Sequence, residues 1–105
     1  MSFFAKNKKE YFNGVVDLLL IIKGKINPET DINWTTYESP EEIIVELTDS
    51  IEALKMSDYA TLEKIKGYFF PTCSFQELSL TNGWGEEFLE LANRFDILYE
   101  KIVAK

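Results

Sequence analysis

The stretch SPEEIIVELTDSIEALK, residues 39–55, decides the fold. Ser39 suits a helix cap and Pro40 the first helical position. Glu42 stands three residues past the cap, the spacing of a capping box. Behind them Ile43, Leu47, Ile51 and Leu54 return at helical period, with Ile44 beside them. A helix over 40–55 with one apolar face follows, and that face needs other elements to cover it.

The flanking sequence supplies them. Phe4, Tyr11, Val15, Leu18 and Ile22, with Phe12, Val16 and Leu19 alongside, predict a helix over residues 3–23. Gly24 suits the position just past its end, and Lys23 and Lys25 sit at the negative end of the helix dipole. Residues 26–38, INPETDINWTTYE, have no period and read as a long loop. Ser57 is the expected cap of a third helix over 58–69, with Tyr59, Leu62, Ile65 and Phe69 inward and Pro71 as its stop. Ser74 and Glu77 repeat the capping-box spacing and predict a short helical turn at 75–80. Alternation of Phe75, Glu77 and Ser79 against Gln76, Leu78 and Leu80 leaves a short strand open there. Asn82-Gly83 marks a turn or a helix end. Trp84, Phe88, Leu91, Phe95, Leu98 and Ile102 then form a continuous seam along a last helix over 84–103. The expected architecture is all-α, a single helical domain over 1–105. It reads as an irregular four-helix bundle with a short extra helical turn before the last helix.

Composition narrows the function. At 105 residues there is room for one core, and 46% hydrophobic with 28% charged residues is the make-up of a folded chain. There is no histidine and only one cysteine, Cys73, so no Ser-His-Asp triad, Cys-His pair or histidine-ligated metal can be assembled. Cys73 reads as a buried structural thiol. The carboxylates lack the Asp-x-Asp-x-Asp-Gly loop of a calcium site, and Asn82-Gly83-Trp84-Gly85 lacks the Lys-Ser/Thr of a phosphate loop. A protein that is not an enzyme and carries no cofactor is expected. The N-terminus lacks the pattern of a secretory signal, and the apolar run Val15–Ile22 is too short to cross a membrane. A cytoplasmic location with no membrane partner is expected.

The net charge of −7 is unevenly spread. Residues 1–25 hold five lysines against Glu10 and Asp17, whereas residues 26–54 hold eight acids and no base. Trp34 and Tyr37 fall inside that acidic stretch. Aromatics ringed by one sign of charge suit the anchor of a protein interface. Asp31, Trp34, Tyr37, Glu38, Glu41, Glu42, Glu46 and Asp49 are therefore the candidate partner-binding residues. The partner implied is a basic protein; nucleic acid is not expected to bind so acidic a chain. The plainer alternative is a solvated helix face, with Trp34 folded back over the core. A second alternative is an adaptor that self-associates as a homodimer. The run Leu18-Leu19-Leu20-Ile21-Ile22 wraps nearly every face of its helix, and a monomer would struggle to bury all five.

Over Tyr68-Phe69-Phe70-Pro71-Thr72-Cys73-Ser74-Phe75-Gln76-Glu77-Leu78 the chain resembles small bacterial proteins of unknown function. Those carry a Gly-Ser-Phe-Asn-Asp-Leu-like motif between a helix pair and a final helix. Here Cys73 stands at the glycine and Gln76-Glu77 at Asn-Asp, and the likeness covers about a third of the chain. In size, acidity and helical make-up the chain is also similar in type to toxin immunity proteins. That resemblance implies an inhibitor of a basic toxin or nuclease and carries no residue over.

Overall fold

The structure, a computed structural model, describes residues 8–33, 35–69 and 74–104. Among them are five helices and no strand: α1 (Lys8–Gly24), α2 (Pro40–Lys55), α3 (Tyr59–Tyr68), α4 (Ser74–Thr81) and α5 (Gly85–Val103). The protein is all-α. Phe4, Trp34, Pro71, Cys73 and the side chain of Ser74 lie outside the described residues.

The start of α2 follows its capping signals. Ser39 is extended (φ −156°), and its hydroxyl accepts the Glu42 N–H at 3.2 Å. The Glu42 carboxylate reaches back one residue further than a capping box requires, accepting the Glu38 N–H at 3.2 Å.

Several helix boundaries differ from the sequence expectation, and Gly24 is the last residue of α1, without the left-handed φ of a residue past the end. Ser57 does not cap α3. It closes α2 in a Schellman turn at φ 57°, with Ser57 N–H on Leu54 C=O at 2.8 Å and Asp58 N–H on Ala53 C=O at 3.3 Å. Asp58 takes the cap instead, accepting the Ala60 N–H at 3.0 Å and the Thr61 hydroxyl at 2.9 Å. One residue cannot serve as the left-handed end of one helix and the extended cap of the next. The expected turn at 75–80 is a full helix of eight residues, so the strand alternative falls. Phe75, Leu78 and Ser79 are buried on one helical face. Gly83, at φ 85°, ends α4 in a second Schellman turn, with Gly83 N–H on Leu80 C=O and Trp84 N–H on Ser79 C=O at 2.9 Å.

Packing follows chain order and then closes on itself. Helix α1 packs on α2 and α5, α3 on α2 and α4, and α4 on α5. The α1–α5 pair is antiparallel. At one end Lys8 Nζ donates to the Ile102 carbonyl and to that of Ala104 at 2.7 Å, capping the negative end of α5. At the other, Lys25 Nζ meets Glu87 Oε1 at 2.7 Å. Between them the helices approach closely enough that a Cβ on Gly14 would meet the Leu98 side chain at 3.0 Å.

The core is built on Phe12, Phe75, Phe88 and Phe95, with Leu18, Leu19, Ile22, Ile43, Leu47, Leu54, Leu62 and Ile65 around them. The seam of α5 is buried as its spacing predicts, with Leu98 only partly covered. Tyr59 is not inward; it stays exposed, its ring edge against Phe12 at a centroid distance of 5.2 Å. Of the apolar run in α1, Leu18, Leu19 and Ile22 are fully buried and Ile21 is half-buried, leaving only Leu20 at 48% exposure. Neighbours on two sides cover the other four in whole or in part, and Leu20 stays open.

Candidate protein-binding face

At 100° per residue, Glu41, Glu42, Val45, Asp49, Glu52 and Met56 fall within about 100° of the circumference of α2. The buried Ile43, Leu47, Ser50 and Leu54 lie on the opposite side, and all six outward residues are exposed. Glu41 and Glu42 lie in the first turn, where the helix dipole favours a negative charge. Asp49, further along, has no such support. Among the described residues Glu41, Glu42 and Asp49 form no ion pair. Glu52 meets Lys55 at 3.4 Å, a surface pair in which both partners are exposed. In the middle of these carboxylates stands Val45, 59% exposed.

The predicted binding residues divide into two groups. Glu38, Glu41, Glu42 and Asp49 lie open to solvent. Asp31, Tyr37 and Glu46 are half-buried and engaged within the molecule. Trp34 lies outside the described residues. The Asp31 carboxylate accepts the Asn33 N–H at 2.9 Å, a local turn bond. The Tyr37 hydroxyl donates to Glu46 Oε2, and its ring stacks on Phe75 with centroids 6.2 Å apart. Phe75 meets the Tyr68 ring edge-on at 4.8 Å, and the Tyr68 hydroxyl lies 3.4 Å from Ser50 Oγ. Tyr37 and Glu46 thus tie the long loop to α2 and α4.

Burial is the main reason both phenols resist ionisation. It raises Tyr37 well above the ordinary tyrosine range, and the Glu46 hydrogen bond and charge add to the effect. Tyr68 is pushed up to about 12, again mainly by burial; the Ser50 hydrogen bond opposes this and the Glu46 charge adds to it.

Sequence reasoning missed Val45 and Glu52 as part of the face. The signal was present in the period, because Val45 stands four residues from both Glu41 and Asp49 and off the Ile43–Leu47 stripe. Chemically, the face offers negative charge and two exposed apolar side chains, Val45 among the carboxylates and Met56 at the end of the helix. Among the described residues no cluster of three or more potential ligands is arranged to hold a metal ion, and no helix is long and apolar enough to cross a membrane. No protein-family model, no curated protein and no solved structure matches the chain.

Proposed function

We propose that this protein is a small acidic protein-binding module of the immunity type, which engages a basic toxin or nuclease in the cytoplasm through the outward face of α2. The observation that carries the reading is Val45, exposed in the middle of Glu41, Glu42, Asp49 and Glu52, the last of which pairs with Lys55. A lone exposed valine is ordinary. One set among four carboxylates combines long-range attraction with a contact that gains once water is removed.

The carboxylates act first. Exposed charges reach about 8–10 Å at ordinary ionic strength and speed the encounter with a basic surface. A nuclease groove is basic because its substrate is a polyanion, so a helix presenting carboxylates suits it. Glu46 and Tyr37 contribute by holding the preceding loop, and Glu38, whose N–H bonds the Glu42 carboxylate, is exposed.

The reading is tested by capture from the source cell on immobilised wild type beside the triple variant Glu41→Gln, Glu42→Gln, Asp49→Asn. A basic protein retained by wild type and lost from the variant supports it. Equal retention on both, or retention of acidic proteins alone, contradicts it.

A further inference from the structure

On the open side of the α1–α5 pair runs a groove of about 240 Å³, lined by Gly14, Asp17, Arg94, Ile97 and Leu98. Gly14 and Leu98, in close approach, form its apolar floor. Asp17 on α1 and Arg94 on α5 are exposed walls of opposite charge. Among the described residues neither makes an ion pair or a side-chain hydrogen bond. Ile97 stands beside Arg94 at 57% exposure, and Leu20 is exposed one turn beyond Asp17.

We infer that this face pairs with the same face of a second copy, Arg94 of each copy meeting Asp17 of the other across a two-fold axis, with Ile97 covered between them. The face is complementary in charge to itself. An isologous contact must be complementary to itself, and a groove with one acid on one helix and one base on the antiparallel helix meets that requirement. A two-fold axis along the groove lays α1 of one copy over α5 of the other and brings opposite charges together on both sides of the axis. Net charge and the α2 face both work against self-contact. Two chains of net charge −7 repel, and the α2 face would set carboxylate against carboxylate. The α1–α5 groove is lined by one charge of each sign and so adds no net charge to the contact. Pairing here is independent of the α2 reading and uses none of its residues.

The test is sedimentation equilibrium of the full chain across a wide concentration range, with circular dichroism of each variant as a folding control. The expected mass rises from one chain towards two. Arg94→Asp and Asp17→Arg, both at exposed positions, each weaken association by about tenfold or more. An equimolar mixture of the two variants restores it, because the swapped charges match again. Ile97→Asp, which leaves both charges in place, also weakens it. A one-chain mass throughout overturns the inference. So does wild-type association by either charge variant, or a mixture that associates no better than the variants alone.

Discussion

Asn82 holds Asp31 through two hydrogen bonds, as a neighbouring strand would. The Asp31 N–H donates to Asn82 Oδ1 at 2.9 Å, and Asn82 Nδ2 donates to the Asp31 carbonyl at 2.9 Å. The same Nδ2 also reaches the Leu78 carbonyl at 2.8 Å. One amide thus ends α4 and fastens the long loop that leads to the candidate face. Asn82→Ala removes all three bonds from a partly buried site and is expected to cost about 2 kcal/mol in denaturant unfolding. Asp31→Ala keeps its backbone pair with Asn82 and should cost less than half as much. Equal losses would mean that the Asp31 side chain, not its backbone, anchors the loop.

Ser57 occupies the left-handed position of the α2–α3 turn, where a side chain is strained. Ser57→Gly is expected to raise stability by about 0.5–1 kcal/mol, and Ser57→Val to lower it. Thermal unfolding of the two variants beside wild type checks the sign of each.

The last helix carries the largest single-residue prediction. Phe88 is fully buried and stacks on Phe69 with centroids 5.7 Å apart. Phe88→Ala should cost about 3–5 kcal/mol through lost burial and the cavity left behind. A near-neutral result by chemical denaturation would contradict the packing of α5.

Alkaline pH probes the tyrosine cluster. Unfolded phenols titrate near 10, and Tyr68 in the folded chain is pushed up to about 12, with Tyr37 raised as well. The folded state therefore favours the protonated phenols. Their stabilising contribution is complete below pH 10 and is lost as pH rises towards 12. Ultraviolet absorbance and circular dichroism should show tyrosine ionisation and helix loss together in that window. The Tyr37→Phe and Tyr68→Phe variants should each show a shallower dependence of stability on pH there.

These elements differ in how far a local pattern determined them. Helix α2 was legible because Ser39, Pro40, Glu42 and the Ile43–Leu54 period agree on one structure. Residues 75–80 were ambiguous because so short a segment satisfies both a two-residue and a helical period. Burial of Phe75, Leu78 and Ser79 on one side settles it, and that is tertiary information. Ser57 and Asp58 both suit a cap, and the choice between them depends on how α2 ends. Glu42 and Glu46 stand one helical turn apart and looked equivalent. Only Glu46 meets the Tyr37 hydroxyl, which arrives from a loop whose path is held by Asn82, 51 residues from Asp31. No local signal announces a contact of that kind.

The central claim is that the outward face of α2 steers a basic partner. Its most direct test is the association rate of the captured partner, measured by stopped flow over a range of ionic strengths. Wild type is compared with Glu41→Gln, Glu42→Gln, Asp49→Asn, a variant that leaves the Tyr37–Glu46 pair intact. The account predicts a wild-type rate that falls steeply with salt. The variant should be slower by about tenfold at low salt, with a flatter slope and a nearly unchanged dissociation rate. Rates that superimpose at every ionic strength would contradict the claim and leave the α2 carboxylates as a solvated surface.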